Sequence, residues 1–116
     1  MLIGIISTLK YEILLIKKLI NTNYSYYGIF IFVSFLKHLA DYIMSKKLGT
    51  PVSVFKFLDI LKDEKIISSE EEDFIINCIS ITRNKNKLIE THVKISKEKI
   101  IKIIDKIQKT LLFIDH

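Results

Sequence analysis

The sequence predicts an all-α fold, a compact bundle of four to five helices in a single domain that covers residues 1–116. Three observations lead to this expectation. Apolar residues recur at spacings of three and four in five segments, which is the period of an amphipathic helix. Polar breaks and helix-capping residues separate these segments. Glycine-rich turn pairs and alternating apolar and polar runs, which would indicate hairpins, are scarce in the sequence.

The first two predicted helices make up the N-terminal part of the chain. The first runs from Ile3 to Ile20, with its isoleucines on one face and its charged residues, including Glu12, mostly elsewhere. The polar residues 21–23 end it, because short polar side chains compete for backbone hydrogen bonds. The second runs from about Ser25 to Lys47 and is apolar all round in its early half, which favours a central, buried position. Leu48 and Gly49 close it, since glycine accepts the left-handed cap conformation.

The other three predicted helices carry recognisable start signals. Thr50 is expected to cap the third helix, with Pro51 at its first helical position. Ser69 and Glu72 form a predicted capping box at the start of the fourth helix. The last helix is expected to begin at Ser96 and to extend to about residue 114, with isoleucine and leucine at helical spacing.

The charge and the composition limit the cellular compartments and the partners that suit this chain. The net charge of +5 is compatible with an acidic partner such as RNA. The lone Cys78 excludes an intramolecular disulfide and is typical of a reducing compartment, so we expect a cytoplasmic protein. The uncharged stretch from Leu19 to Leu36 has about the length of a membrane span, but polar residues and tyrosines interrupt it. The first twelve residues lack the basic region and cleavage site of a signal peptide.

Most familiar catalytic and metal-binding patterns are missing from the sequence. Three isolated glycines cannot form a phosphate-cradling loop, and one cysteine with three separated histidines does not suggest a zinc cluster, so we expect no metal and no cofactor. The acidic run from Glu70 to Asp73 is explained by the capped start of a helix. His38 and Asp41, three residues apart, are either an exposed pair or a base with its orienting carboxylate.

The segment from Thr82 to His92 is the strongest candidate for chemistry. It concentrates basic and amide side chains at the polar end of a helix: Arg83, Asn84, Lys85, Asn86, Lys87 and His92. Such a cluster is either a solvated helix end or an anion-binding patch. A histidine beside a fixed cation also suits RNA cleavage, because histidine can move the proton of the 2′-hydroxyl while the cation stabilises the charged phosphorane.

From about Val33 to Ile114 the chain resembles a HEPN domain, a small helical bundle found in toxin–antitoxin and phage-defence systems. The resemblance lies in the order of a long apolar helix, the helix FKFLDILKDEKII, the helix SSEEEDFIINCISI, an RN pair followed by a histidine, and the phrase KISKEKIIKIIDKI. HEPN proteins carry the motif R-x(4–6)-H in this region. The resemblance implies a metal-independent endoribonuclease that works as a dimer, or an inactive relative that serves as a binding module.

The spacing of the motif leaves two assignments open. Eight residues separate Arg83 from His92, and a nine-residue step on an unbroken helix places two side chains on opposite faces. Six residues separate Lys85 from His92, which fits the motif but replaces arginine by lysine. The resemblance therefore implies His92 as the acid and base, Arg83 or Lys85 as the phosphate-binding cation, and Asn84 or Asn86 as the orienting group.

The expected partners follow from the same resemblance. An active chain would form a homodimer through its last two helices, bind RNA and be neutralised by an antitoxin or another protein partner. The alternative is a non-catalytic helical interaction module, either an inactive HEPN relative or a phage or plasmid accessory protein, which binds a protein or a nucleic acid. Membrane association is the weakest expectation.

Overall fold

The computed structural model describes residues 2–22, 25–49, 52–84 and 97–112. Within these ranges the chain forms five α-helices and no strand, which confirms the predicted all-α class. The helices are α1 (Leu2–Leu19), α2 (Ser25–Leu48), α3 (Val54–Asp63), α4 (Ser69–Arg83) and α5 (Lys97–Ile107). A π-helical turn, Gln108–Leu112, continues α5.

Helix α2 is the central element of the bundle, as its apolar composition predicts. It packs against α1, α3 and α4. Its buried side chains point to several sides of the helix and include Ile29, Phe32, Val33, Phe35, Leu36, Leu39, Ala40, Tyr42 and Met44. By length and composition the segment Tyr27–Lys46 would suffice to cross a membrane, but more than half of it is buried against the rest of the protein. The core helix of a globule has the same composition.

The ends of α1 and α2 are formed by the residues that the sequence indicates. At the end of α1, the Asn21 side-chain amide donates to the Lys17 carbonyl oxygen at 3.3 Å, and the Thr22 hydroxyl donates to the Leu19 carbonyl oxygen at 2.7 Å. These bonds satisfy carbonyls that have no partner within the helix. Gly49 follows α2 with a φ of 76°, the left-handed conformation expected of a glycine cap.

Helix α5 buries one apolar face and uses its charged residues to reach its neighbours. The buried face consists of Ile100, Ile103, Ile104 and Ile107. The Asp105 carboxylate lies 3.1 Å from the Lys17 ammonium of α1, and the Lys106 ammonium lies 2.8 Å from Glu71 Oε1 of α4. The helix is therefore fixed by isoleucine packing, with ion pairs to α1 and α4 at its edges.

Helix α3 begins later than the sequence suggests. The N-cap residue is Ser53, whose extended backbone (φ −63°, ψ 155°) lets its hydroxyl accept from the Lys56 N–H at 3.2 Å. The prediction of a Thr50 cap with Pro51 at the first helical position is therefore wrong, and both residues lie outside the described ranges. The later start gives Val54 the first position of the buried stripe, which continues with Phe57, Leu58 and Leu61.

The capping box of α4 exists, but one residue earlier than predicted. The Ser68 hydroxyl accepts from the Glu71 N–H at 3.1 Å, and the Ser68 N–H donates to Glu71 Oε1 at 2.9 Å. Ser69 is already the first helical residue. Glu72, the predicted box partner, instead pairs with the Lys62 ammonium of α3 at 3.1 Å. Either serine can cap a helix, and in the structure Ser68 is the cap while Glu72 pairs with α3.

The Glu71 carboxylate joins the cap of α4 to α5. Burial alone would raise the pKa of Glu71, but the hydrogen bonds from Lys106 and Ser68 outweigh burial, and the pKa lies below its usual value. A carboxyl whose pKa is lower in the folded state stabilises the fold above its unfolded pKa. This contribution is lost as the pH falls through the folded pKa. The acidic run is thus explained by capping and ion pairs, as expected.

The turn after α3 places a lysine where glycine is usual. Lys65 has a φ of 62°. Its N–H donates to the Lys62 carbonyl oxygen at 2.9 Å, and the Ile66 N–H donates to the Leu61 carbonyl oxygen at 2.9 Å. This pair of bonds is a Schellman motif, in which the left-handed position favours a residue without a Cβ atom.

We expect Lys65→Gly to stabilise the protein by about 0.5–1 kcal/mol, because it removes the strain of a left-handed side-chain-bearing residue. For a chain of this size the melting temperature would rise by about 2–4 °C. Glu64→Gly is the matched control, since Glu64 has a φ of −84° and gains nothing from glycine. Thermal unfolding followed by circular dichroism checks both variants, and a lower melting temperature for Lys65→Gly would contradict the expectation.

Candidate active site

Helix α4 ends at Arg83, the first residue of the predicted motif. Asn84 is the C-cap residue and has an extended backbone (φ −122°, ψ 98°). Because the chain leaves the helix at Asn84, the spacing of an unbroken helix does not relate Arg83 to His92. Lys85, Asn86 and His92, the other predicted site residues, lie outside the described residues.

The Arg83 side chain is positioned by an aromatic ring of α3. Its guanidinium carbon lies 5.3 Å from the centre of the Phe55 ring, within the range of a cation–π contact. The side chain remains exposed and lines two neighbouring clefts. We call the first of these, about 340 Å³ in volume, the Arg83 cleft; it is lined by Phe30, Val33, Ser34, Lys37, His38, Thr82 and Arg83.

The Arg83 cleft is electropositive. Lys37 of α2 and Arg83 of α4 contribute two cations, and no acidic side chain is among the seven residues that line it. A guanidinium offers paired donors that match two oxygens of a phosphate, while an ammonium acts as a compact point charge. The arrangement therefore suits an oxyanion such as a phosphodiester.

A buried carboxylate lies behind one wall of this cleft. Glu12 of α1 is only 7% exposed. The Ser34 hydroxyl donates to Glu12 Oε2 at 3.0 Å, and His38 Nδ1 lies 2.9 Å from Glu12 Oε1. Both carboxylate oxygens are thereby satisfied by α2, as a buried charged group requires.

The partner of His38 was not evident from the sequence. The structure pairs His38 with Glu12, so Asp41 is not the carboxylate that orients it. His38 and Asp41 are both exposed, as the other alternative expected. Asp41 is exposed and lines the neighbouring cleft. Glu12 and His38 are 26 positions apart on two helices, and helical periodicity placed Glu12 among the residues off the apolar face. Only the packing of α1 on α2 brings the two side chains together.

A larger cleft along α5 is less suited to binding an anion than the Arg83 cleft. It has a volume of about 530 Å³ and lies along α5, where Lys97, Lys102 and Lys109 alternate with Glu98 and Asp105. Two of its lining residues, Asp105 and Lys106, already form ion pairs with α1 and α4. With Lys106 its lining carries four lysines and two acidic residues, a net charge of +2 like that of the Arg83 cleft, but its acidic side chains lie beside the lysines and compete with a bound anion.

Within the described part of the chain we find neither a reactive thiol nor a metal site. Burial raises the pKa of Cys78 to about 12, so its thiol stays protonated at neutral pH. Among the described residues, no three histidine, cysteine, aspartate or glutamate side chains come close enough to hold a metal ion.

The chain matches no family model, and no curated protein or solved structure is detectably similar to it. The protein is therefore characterised by its fold and its candidate site. It is an all-α bundle with an electropositive cleft between α2 and α4, in which a carboxylate-bound histidine stands beside an arginine and a lysine.

Proposed function

We propose that this protein is a HEPN-like endoribonuclease that binds the RNA backbone in the Arg83 cleft and cleaves it without a metal ion. The observation that supports the proposal is the convergence of Lys37, His38 and Arg83 from two helices. Two cations and an imidazole are the groups that phosphodiester transesterification needs. The position of Arg83 at the end of α4 also agrees with the resemblance to the R-x(4–6)-H motif.

The chemistry divides between charge stabilisation and proton transfer. The RNA 2′-oxygen attacks the adjacent phosphorus, and negative charge develops on the phosphorane oxygens. The Arg83 guanidinium, held over Phe55, can bind two of these oxygens, and Lys37 adds a second positive charge. A histidine accepts the proton of the 2′-hydroxyl. The resemblance implies His92 for this step, and the described residues of the Arg83 cleft offer a second imidazole, His38.

The biological setting follows from the resemblance. In this proposal the protein acts in the cytoplasm as a homodimer that pairs through its last two helices. Its activity serves a toxin–antitoxin or phage-defence system, where an antitoxin or another protein partner binds and restrains it. The net charge of +5 supports an acidic partner or substrate.

A non-catalytic interaction module is the second candidate. Tyr11 and Leu14, one helical turn apart on α1, are 62% and 67% exposed. Large apolar side chains side by side on a surface are suited to contact with a protein partner. In this case the Arg83 cleft would bind nucleic acid or an acidic protein without cleaving it.

The experiment that tests the proposal uses purified protein and end-labelled single-stranded RNA in EDTA. We expect fragments with 2′,3′-cyclic phosphate and 5′-hydroxyl ends. The matched control is the same RNA with a 2′-deoxy sugar at the cleaved position, which lacks the nucleophile and must stay intact. Binding of the 2′-deoxy RNA without cleavage of the all-ribose RNA would favour the interaction module. Absence of both binding and cleavage would contradict both candidates.

A further inference from the structure

The Glu12–His38 pair offers a proton acceptor that lies outside the R-x(4–6)-H motif. Glu12 is buried and accepts hydrogen bonds from two residues of α2, whereas the His38 side chain is 48% exposed. The pair therefore runs from the interior of the α1–α2 interface to the wall of the Arg83 cleft.

The contact with Glu12 determines which ring nitrogen of His38 can accept a proton. In contact with an ionised Glu12 carboxylate, which only accepts hydrogen bonds, Nδ1 of His38 is the nitrogen that carries the hydrogen; the two atoms lie 2.9 Å apart. In the neutral ring, Nε2 is then the nitrogen with a free lone pair, and it can accept a proton. Because Ser34 occupies the other carboxylate oxygen, Glu12 is held in place and orients the ring.

The neighbours of His38 complete the set of groups required for proton transfer at a phosphodiester. Lys37 precedes His38 on α2, and both line the cleft together with Arg83 of α4. The cations can hold the phosphate beside the ring, which places a proton acceptor near the 2′-hydroxyl of the same nucleotide.

We propose that His38 is a catalytic residue of this site and that Glu12 is its positioning residue, an assignment that rests on the proposed ribonuclease function. Nε2 of His38 takes the proton of the RNA 2′-hydroxyl. The 2′-oxygen forms a bond to phosphorus, and the bond from phosphorus to the 5′-oxygen breaks. The 5′-oxygen takes a proton from the imidazolium or from water. The products are a 2′,3′-cyclic phosphate and a 5′-hydroxyl, with no change of oxidation state.

The decisive variant is His38→Asn. The asparagine amide can replace Nδ1 as the donor to Glu12, but it has no counterpart of Nε2. We expect cleavage of single-stranded RNA in EDTA to slow by about 100-fold or more, with the melting temperature and the affinity for uncleavable 2′-deoxy RNA little changed. Lys102→Ala is the control, since Lys102 is exposed on α5 and does not line the Arg83 cleft. It should retain cleavage.

The positioning role of Glu12 has its own readout. Glu12→Gln keeps the shape of the side chain but no longer forces the hydrogen onto Nδ1. We expect kcat to fall by about 10-fold or more while the affinity for 2′-deoxy RNA is unchanged. A merely structural role would instead lower the melting temperature and leave kcat per folded molecule unaffected.

The outcomes separate this assignment from the proposed function. If the unmodified protein cleaves RNA and His38→Asn cleaves at the same rate, while Arg83→Ala does not cleave, His38 has no catalytic role and the ribonuclease function stands. If the unmodified protein does not cleave RNA in EDTA, the proposed function and the role of His38 fail together. Loss of cleavage in His38→Asn with normal folding and RNA binding supports both.

Discussion

Replacing Arg83 by alanine is expected to slow RNA cleavage by about 100- to 1000-fold, the usual loss when one donor to a developing negative charge is removed. Arg83 is exposed at the end of α4 and its described contact is the Phe55 ring, so the substitution should hardly change the melting temperature. Arg83→Lys is expected to recover part of the rate, because it restores the charge but not the paired donors. Single-turnover cleavage in EDTA measures all three rates.

Lys102→Ala serves as the charge-matched control for Arg83. Lys102 is exposed on α5 and lines the two clefts of that helix rather than the Arg83 cleft. Each substitution removes one positive charge from a chain with a net charge of +5, so a non-specific electrostatic effect would be similar in both. Equal losses in the two variants would contradict a specific role of Arg83.

The largest loss of stability is expected from the centre of α2. Leu36 is fully buried, at 0% exposure. Leu36→Ala removes apolar contacts and leaves a cavity that the close-packed helices cannot fill, which costs about 2–5 kcal/mol. For 116 residues this corresponds to a drop in melting temperature of about 8–20 °C. Urea and thermal unfolding check the value.

The same chemical change on α1 provides the comparison. Leu14 is 67% exposed, so Leu14→Ala leaves no cavity and should change the free energy of unfolding by only about 0.5 kcal/mol. The difference between the two variants thus reports burial rather than leucine content. Similar losses in both would mean that α2 does not occupy the centre of the core.

The helices could be predicted because the apolar spacing and the capping residues that specify each helix lie within or next to it in the sequence. Apolar periodicity located α1, α2, α4 and α5, and Gly49 marked the end of α2 correctly. The errors concern residues with several local solutions. Ser53 and Ser68 cap their helices, whereas Thr50 and Ser69 looked equally suitable. Local sequence patterns do not distinguish between neighbouring capping residues, so the exact start of a helix is the least predictable part of it.

The site was only partly predictable, because its residues come from separate helices. The dense run of polar residues marks Arg83 in the sequence, and the structure places Arg83 at the end of α4. The carboxylate nearest to His38 in the sequence, Asp41, is not its partner. The bond to Glu12 depends on the crossing of α1 over α2, which places side chains 26 positions apart within 2.9 Å.

The hydrogen bonds that Glu12 of α1 makes with α2 also affect how α2 would partition between water and a lipid bilayer. Helix α2 is apolar and long enough to enter a hydrocarbon layer, yet Ser34 and His38 are bound to Glu12. Insertion of α2 alone would break both bonds and carry a polar imidazole and a hydroxyl into lipid, at a cost of several kcal/mol. Insertion of α1 with it would add a carboxylate to that cost. Glu12 thereby opposes the transfer of α2 out of the bundle.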